Sequence, residues 1–289
     1  MATFADWVEG ARIRTLPAAA APVLVGTGAA YALEAGSVPR ALLAAGVALA
    51  LQIGVNYAND YSDGVRGTDD HRTGPPRLTG SGAAHPGTVK LAAFAFFGVA
   101  AVLGLVLCAL AGTWWLVAVG ALCVLAAWGY TGGRNPYGYR GLGEVGVFVF
   151  FGLVATLGTT YTQALRVSGP AVAGAVGIGS IACALLMVNN IRDIPTDRVS
   201  GKHTLAVRLG DRHARWGYVA MTVVPFLLAL AVAPAHPWAL LTLLLVPLAV
   251  RQARTVLGGA TGRDLIRVLR DTGLLELGYG VLLGLGLAL

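Results

Sequence analysis

A long apolar run ends in the stretch Asn56-Tyr57-Ala58-Asn59-Asp60-Tyr61-Ser62-Asp63-Gly64-Val65-Arg66-Gly67-Thr68-Asp69, which is rich in amide and carboxylate side chains. If the helix of the apolar run continues, Asn56 and Asp60 share one face, and so do Asn59 and Asp63. Such an oxygen-rich corner suits Mg²⁺, which prefers one or two carboxylates together with water and phosphate oxygens. A solvated loop with ordinary caps is the alternative for a single cluster.

A second cluster of the same kind is Asn189-Asn190-Ile191-Arg192-Asp193-Ile194-Pro195-Thr196-Asp197, which again follows an apolar run. Asn189, Asp193 and Asp197 are spaced by four residues, so a helix would place them on one face. Pro195 counts against that helix, because proline removes a hydrogen bond and kinks the chain. Two such clusters on the same side of a membrane predict one shared site.

The composition indicates an integral membrane protein. Of 289 residues, 56% are hydrophobic and 12% charged, and the mean hydropathy is +0.70, which is too apolar for a soluble domain of this size. The runs lack the alternation of barrel strands, so the fold class is an all-α membrane protein. About nine spans are predicted, near residues 16–33, 41–58, 89–111, 114–130, 145–163, 170–190, 216–233, 237–254 and 272–289.

The basic residues set the expected orientation. With these spans, Arg40 and Arg166 lie on one side and the other 19 of the 21 Lys and Arg residues on the opposite side. The positive-inside rule then predicts a cell-membrane protein with a cytoplasmic N-terminus and an outside C-terminus. We expect a single domain over residues 1–289, with polar cytoplasmic loops at about 59–88 and 191–215. The net charge is +7. Because the location of the basic residues is explained by membrane orientation, no nucleic-acid partner is expected.

Four stretches resemble a known family. They are Gly10 to Pro17, the pattern Asn59-x₃-Asp63-x₅-Asp69, Tyr130 to Glu144, and Asn189 to Gly210, which includes Asp193-x₃-Asp197 and Gly201-Lys202-x-Thr204. They resemble the UbiA-type intramembrane aromatic prenyltransferases and, among these, the branch that prenylates 1,4-dihydroxy-2-naphthoate in menaquinone biosynthesis. One departure concerns the third acid of the first motif, which many members place at the position that is Gly67 here. Either Asp60 or Asp69 would therefore complete the first metal set.

The resemblance implies a bundle of about nine helices around a central cavity that opens to the cytoplasmic side, with the two motifs facing each other. The implied reaction joins a polyprenyl diphosphate to 1,4-dihydroxy-2-naphthoate with loss of the carboxylate, which gives a demethylmenaquinone. Mg²⁺ is the implied cofactor, because ionisation of an allylic diphosphate develops charge on the leaving group. The lipid tail would lie among apolar helices, in contact with membrane lipids.

The resemblance also implies roles for individual residues. The metal candidates are Asp60, Asp63, Asp69, Asp193 and Asp197, and all of these except Asp60 form the catalytic set together with Asn59. The diphosphate candidates are Arg66, Lys202, Asn189 and Asn190. The acceptor candidates are Arg77, Arg134 and Arg140 for the carboxylate, with Tyr130 and Tyr139 as ring or hydroxyl contacts. Arg12 and Arg14 are interpreted as topology anchors, and Glu144 as either a helix-cap partner or part of the acceptor site.

Two alternatives stay open. A related prenyltransferase would use 4-hydroxybenzoate, homogentisate or a lipid as acceptor, and only the acceptor loops would differ. A secondary transporter would bind near the bilayer midplane, where ionisable residues mark the pathway. The middles of the predicted spans carry no charge and the acids gather at one end, so the pattern favours an enzyme.

Overall fold

The computed structural model describes residues 2–68 and 77–289, and the regular elements in those residues are helices. The α-helices are α1 Phe4–Gly10, α2 Pro17–Ala32, α3 Val38–Val65, α4 Pro86–Ala111, α5 Leu116–Gly129, α6 Gly143–Val147, α7 Ala155–Ala164, α8 Gly169–Val199, α9 Leu205–Val232, α10 Val246–Leu257 and α11 Gly262–Ala288. A π-helical segment, Phe148–Val154, joins α6 to α7, and 3₁₀ turns span Ile13–Thr15, Tyr137–Arg140 and Pro237–Leu245.

The membrane-crossing elements agree with the expected bundle. Within the described residues, seven helices are long and apolar enough to cross a membrane, or eight if Phe4–Thr15 and Pro17–Ala32 form one bent span. The remaining predicted span is α5, whose 14 residues reach about 21 Å at 1.5 Å per residue. That is short of a hydrocarbon core of about 30 Å.

The described start of the first polar cluster, residues 56–65, and the whole of the second are helical, as their spacing predicts. α3 continues to Val65 and α8 to Val199, so the expected loop at 59–88 begins in helix and the expected loop at 191–215 is largely helix. Pro195 lies inside α8 and does not end it. The connection between α8 and α9 that is not α-helical is short and comprises residues 200–204. The start of α9 is then broken at Gly210, whose φ of 76° is left-handed.

Small residues allow the central helices to approach closely. α2 packs against α11, and a Cβ atom on Gly28 would lie only 2.0 Å from the carbonyl oxygen of Gly284. Membrane helices associate through such small-residue contacts, because lipid supplies no hydrophobic drive between them. Around this contact lies an apolar cluster that includes Val25, Ile178 and Leu275. α2, α8 and α11 thus form a tightly packed half of the bundle.

The two arginines expected on the outer side each donate hydrogen bonds to backbone carbonyls at helix ends. Arg40 donates to the carbonyl oxygens of Leu110 at 2.7 Å and Thr162 at 3.1 Å. Arg166 donates to the carbonyl oxygen of Leu33 at 3.0 Å, so both cations sit where helix C-termini leave free carbonyls. Arg40 and Asp63 lie 23 residues apart on α3, which is roughly 35 Å along a helix axis. The charge separation read from the sequence agrees with this placement.

One acid contradicts the expectation that the span middles are uncharged. Glu276 is fully buried, and neither of its carboxylate oxygens has a hydrogen-bond partner among residues 2–68 and 77–289. The prediction failed here because α11 begins at Gly262 rather than near residue 272, which moves Glu276 from the expected start of the span to its middle.

Candidate active site

The bundle encloses a cavity of about 1050 Å³. Along α3 its lining runs from Ala44 to Asp63, which corresponds to about 28 Å of helix. The cavity is therefore nearly as long as a bilayer core is thick, about 30 Å. Both polar clusters lie at one end of it, and exposed Arg14, Arg267 and Arg270 also line that end, so the cavity opens there. The lining farther along is apolar and includes Val23, Val47, Leu107, Phe150 and Val154.

The end of α3 forms the first wall of the polar end. Asn59 and Asp63 both line the cavity. The amide oxygen of Asn59 accepts a hydrogen bond from the Thr131 hydroxyl at 2.7 Å. The Tyr139 hydroxyl donates to Asp63 Oδ1 at 2.5 Å, and the Lys202 ammonium nitrogen lies 3.6 Å from the same oxygen. The carboxylate of Asp63 is therefore held in place from two sides.

Asp60 does not belong to this wall. It is fully buried, and its two carboxylate oxygens accept the backbone N–H groups of Leu78 at 2.9 Å and Thr79 at 2.8 Å. It lies outside the cavity lining because one residue along a helix turns the side chain by about 100°. The structure does not support Asp60 as a metal ligand; the residue anchors the chain that returns toward α4. The other candidate for the third acid, Asp69, lies outside the described residues.

The end of α8 forms the second wall. Asn189, Asp193 and Asp197 all line the cavity, as their spacing predicts. Arg192 grips Asp193 with two hydrogen bonds of 2.7 and 2.6 Å and also donates to the amide oxygen of Asn189 at 2.9 Å. Bidentate guanidinium–carboxylate pairs of this kind are geometrically specific. Arg192 is a site residue that was not predicted from the sequence, although it stands directly beside Asp193.

Lys202 connects the two walls. Its backbone N–H donates to the carbonyl of Asp197 at 2.8 Å, and the next residue donates to the carbonyl of Tyr139 at 2.8 Å. Its ammonium lies 4.5 Å from the centroid of the Tyr139 ring, a cation–π distance. Burial lowers the pKa of Lys202, but its interactions with Asp63, Tyr139 and Asp197 outweigh burial and raise the pKa. One ammonium is thus within electrostatic reach of both acidic clusters.

The predicted arginines divide into one inside the cavity and three outside its lining. Arg77 lines the cavity, is 9% exposed, and has a buried Nη1 without a hydrogen-bond partner among the described residues. Arg134 and Arg140 are exposed and outside the lining. Arg66 is also outside it and donates to the backbone carbonyls of residues 131 and 133, with its guanidinium 5.4 Å from the Tyr139 ring centroid. Arg66 therefore braces the loop after α5, and the structure does not place it with the diphosphate candidates.

The predicted tyrosines line the cavity and form part of an aromatic wall. Tyr130 and Tyr139 are joined there by Tyr137. The rings of Tyr130 and Tyr137 meet edge to face with centroids 5.4 Å apart. Burial, followed by the charge of Glu144, raises the pKa of Tyr130, so its hydroxyl stays protonated at neutral pH.

Several basic residues of the lining were not predicted as site residues. Arg12 and Arg14, interpreted as topology anchors, line the open end of the cavity, together with Arg267 and Arg270 of α11. The sequence analysis missed the α11 pair because the last apolar run was taken to begin after them. The sequence feature that could have indicated them is the three-residue spacing of Arg267 and Arg270, which places both on one helical face.

The donor set fits a magnesium ion. Asp63, Asp193 and Asp197 bring three carboxylates to one end of the cavity, and Asn59 adds an amide whose oxygen accepts one hydrogen bond from Thr131 and keeps a second lone pair. In residues 2–68 and 77–289, no group of three or more His, Cys, Asp and Glu side chains is arranged to hold a metal ion. Mg²⁺ usually takes one or two carboxylates and fills its other positions with water and substrate phosphate, so two opposed walls that each supply few ligands match its chemistry.

The fold and the site define a helical membrane protein with an internal cavity that has opposed acidic clusters at its open end and apolar walls farther in. The chain belongs to the UbiA prenyltransferase family, whose model matches residues 19–268. It is 56% identical to a 1,4-dihydroxy-2-naphthoate octaprenyltransferase of Mycobacterium tuberculosis, over 95% of this chain and 94% of the relative. It is 40% identical to the octaprenyltransferase of the same name from Escherichia coli, over 87% and 84% of the two chains.

Solved structures share the fold at low sequence identity. A UbiA homologue from Aeropyrum pernix K1 superposes with a TM-score of 0.71 at 16% identity, covering 93% of this chain and 96% of that one. A UbiA homologue from Archaeoglobus fulgidus, solved bound to GPP and Mg²⁺, gives a TM-score of 0.66 at 13% identity, covering 96% and 99%. These likenesses confirm the predicted all-helical membrane fold.

Proposed function

We propose that this protein transfers a polyprenyl group from a polyprenyl diphosphate to 1,4-dihydroxy-2-naphthoate. The allylic C–O bond breaks and the diphosphate leaves with its electron pair. The ring carbon that bears the carboxylate forms the new C–C bond, and the carboxylate leaves as carbon dioxide. The product is the quinol form of demethylmenaquinone. The observation that carries the proposal is the meeting of two acidic clusters and one ammonium at the open end of a long apolar cavity.

The diphosphate would be held where the two walls meet. Asp63, Asp193 and Asp197, with Asn59, would hold Mg²⁺, which when bound supplies positive charge to the leaving diphosphate; Asp69 stays a further candidate. Lys202 is placed to donate charge-assisted hydrogen bonds to the phosphate oxygens. Asn189 supports the same role, because Arg192 occupies its amide oxygen and leaves its NH₂ group as a donor.

The prenyl chain would extend along the apolar lining toward Ala44. Burial of a hydrocarbon chain in such a cavity is favourable at roughly 0.8 kcal/mol per CH₂ group. A single cavity with a polar open end and an apolar interior would therefore hold both the reacting diphosphate and the prenyl chain. This is also why the acids lie near the membrane boundary rather than at the midplane, where a transporter would place them.

Arg77 is our candidate for the acceptor carboxylate. Of the three arginines predicted for this role, Arg77 lines the cavity, and its buried Nη1 has no hydrogen-bond partner in the part of the chain that the structure describes. A buried donor without a partner is unfavourable by about 1–3 kcal/mol, which a carboxylate would relieve. Tyr130, Tyr137 and Tyr139 present aromatic surface to the same cavity, against which a flat bicyclic ring can pack edge to face or offset.

We further propose that the protein lies in the cell membrane with its N-terminus cytoplasmic and its C-terminus outside. The cavity would then open to the cytoplasm, on the side that carries most of the arginines. Protease protection of tags at the two termini in intact and permeabilised cells tests this orientation. Protection of the N-terminal tag alone supports it, and the reverse pattern overturns it.

Prenyl transfer by the purified protein tests the reaction. The assay supplies a long polyprenyl diphosphate, Mg²⁺ and either 1,4-dihydroxy-2-naphthoate or 4-hydroxybenzoate. Metal-dependent product from the naphthoate with release of carbon dioxide supports the proposal, and Asp63→Asn and Asp193→Asn should abolish it while Arg134→Gln should not. Product from 4-hydroxybenzoate alone would keep the donor site and overturn the acceptor assignment.

A further inference from the structure

Two neighbouring asparagines of α8 are held in opposite orientations. The amide oxygen of Asn189 accepts from Arg192 at 2.9 Å. The amide nitrogen of Asn190 instead donates to Glu144 Oε1 at 3.1 Å. An asparagine side chain has one carbonyl acceptor and one NH₂ donor, so each residue has one half of its amide committed to a protein partner. Asn189 keeps its donor half for the cavity, and Asn190 keeps its acceptor half.

The acceptor half of Asn190 is unsuited to a diphosphate. Phosphate oxygens are hydrogen-bond acceptors, and two acceptors facing each other repel. A carbonyl oxygen in the cavity can instead receive a hydrogen bond from a ligand hydroxyl. The family resemblance implies a diphosphate role for Asn190, but one residue along α8 turns it about 100° away from the Asn189, Asp193 and Asp197 face.

The side to which Asn190 turns is aromatic. Leu186, one helical turn before it, lines the cavity and lies 3.2 Å from the position that a Cβ atom on Gly143 would take. The Tyr130 hydroxyl oxygen lies 3.4 Å from that same position. Asn190 therefore faces the wall formed by Tyr130 and Tyr137 rather than the wall that contains Lys202.

The Glu144 carboxyl group is buried with one side-chain donor beside it, the Asn190 amide, among the described residues. Glu144 is 5% exposed at the start of α6, outside the cavity lining, and its buried Oε2 has no hydrogen-bond partner within residues 2–68 and 77–289. A buried carboxyl group is unfavourable unless it is hydrogen-bonded. The Asn190 amide that donates to it belongs to a residue that does line the cavity.

We infer that Glu144 is a positioning residue for the aromatic acceptor: it holds the Asn190 amide so that the carbonyl oxygen faces the cavity and accepts a hydrogen bond from a ring hydroxyl. The inference rests on the proposed function and deepens it, because it assigns recognition of the hydroxyl to α8 and recognition of the carboxylate to Arg77. Selection of hydroxylated aromatic acids then requires both contacts at once. A site built to bond a hydroxyl discriminates strongly against analogues that lack it.

Two substitutions of Glu144 separate positioning from folding. Glu144→Gln keeps a carbonyl that can accept from the Asn190 amide, whereas Glu144→Met keeps the length and removes the acceptor. We expect Glu144→Met to raise the KM for 1,4-dihydroxy-2-naphthoate about tenfold, the effect of one hydrogen bond. Glu144→Gln should stay within about threefold of wild type on the same grounds. The KM for polyprenyl diphosphate and the Mg²⁺ concentration for half-maximal rate should be unchanged in both.

Acceptor analogues identify the hydroxyl that Asn190 reads. Inhibition constants of 1-hydroxy-2-naphthoate and 4-hydroxy-2-naphthoate are measured against wild type, Glu144→Met and Asn190→Leu. The analogue that carries the hydroxyl bound by Asn190 should bind both variants more weakly than wild type, as the full acceptor does. The analogue that lacks this hydroxyl should bind all three proteins equally.

The outcomes are distinguishable. Equal loss with every analogue would mean that Glu144 only supports the fold, and a shift in Mg²⁺ dependence with an unchanged acceptor KM would make the Asn190 carbonyl a metal ligand; either overturns the inference. A wild-type protein that uses 4-hydroxybenzoate instead of the naphthoate overturns the proposed acceptor, and the comparison is then made with 4-hydroxybenzoate and benzoate. A wild-type protein that prenylates no hydroxylated aromatic overturns both proposals.

Discussion

Lys202 allows one substitution to test how the two acidic clusters work together. Its ammonium lies 3.6 Å from Asp63 Oδ1 and is buried against the ring of Tyr139. Lys202→Met keeps the approximate length of the side chain and removes its charge. We expect this variant to raise the KM for polyprenyl diphosphate and to leave the KM for the aromatic acceptor unchanged, because the ammonium faces the acidic walls and not Arg77.

The geometry sets the size of the effect. Two unit charges 3.6 Å apart attract by about 4–5 kcal/mol at an effective dielectric constant of about 20. Desolvation of both groups offsets much of that attraction. What substrate binding can gain is one hydrogen bond between charged groups, roughly 1.5–3 kcal/mol. At about 1.4 kcal/mol per factor of ten, the KM should rise roughly ten- to hundredfold.

The raised pKa of Lys202 predicts how the rate depends on pH. Although burial opposes its charge, Asp63, Tyr139 and Asp197 raise the pKa above the ordinary value of 10.5. A group with a raised pKa contributes fully at low pH and loses its contribution only as the pH rises through that pKa. Lys202 therefore stays charged at neutral pH, and any change of rate between about pH 7 and pH 9 should be shared by wild type and Lys202→Met.

Initial rates of prenyl transfer in detergent measure these effects, with polyprenyl diphosphate varied at saturating acceptor. Lys90→Met is the matched control, because Lys90 is exposed and lies over the rings of Tyr61 and Trp128 at 5.6 and 5.7 Å, outside the cavity lining. The reasoning is refuted if Lys202→Met saturates at the wild-type diphosphate concentration, or if the control shows the same rise.

Three further predictions follow from single contacts. Tyr139→Phe removes the hydroxyl that donates to Asp63 at 2.5 Å and should lower kcat/KM about tenfold with an unchanged melting temperature, since one hydrogen bond to a charged group is lost. Asp60→Ala strands two buried N–H groups, so it should destabilise the fold by roughly 1–3 kcal/mol in thermal unfolding without changing Mg²⁺ dependence; a changed metal dependence would restore Asp60 to the site. Gly28→Ala puts a methyl group 2.0 Å from a carbonyl oxygen of α11 and should destabilise by about 1–3 kcal/mol, whereas Gly98→Ala, with nothing within 4 Å, should be neutral.

The helical period explains what the sequence predicted well. Asn59 and Asp63, and likewise Asn189, Asp193 and Asp197, repeat every four residues, and the structure places all five in the cavity lining. A four-residue repeat gives a shared face wherever the chain stays helical, and α8 stays helical through Pro195. Pro195 failed to end α8 because a proline forfeits one backbone hydrogen bond, while the rest of the helix is held by its packing.

Contacts between distant segments explain what the sequence did not predict. Asp60 is spaced like a ligand, but the chain at Leu78 and Thr79 returns to its carboxylate, and no local pattern encodes that return. Arg77 and Arg134 are equivalent as loop arginines, yet one lines the cavity and the other is exposed. Local spacing thus predicted which face a side chain occupies but not which partner the face meets.

Each acidic wall carries its own cation, and this pairing bears on how the site can accept a metal diphosphate. Asp63 is paired with Lys202, and Asp193 with Arg192. Removing one partner from a buried ion pair is strongly unfavourable, because the other charge is left without compensation. A magnesium diphosphate carries both signs, so its cation can take the carboxylates while its oxygens take the ammonium and the guanidinium. This exchange leaves no buried charge without a partner, so we expect Mg²⁺ and the diphosphate to bind together. Polyprenyl diphosphate should bind much more weakly without Mg²⁺ than with it. Lys202→Met should reduce the difference between these two affinities.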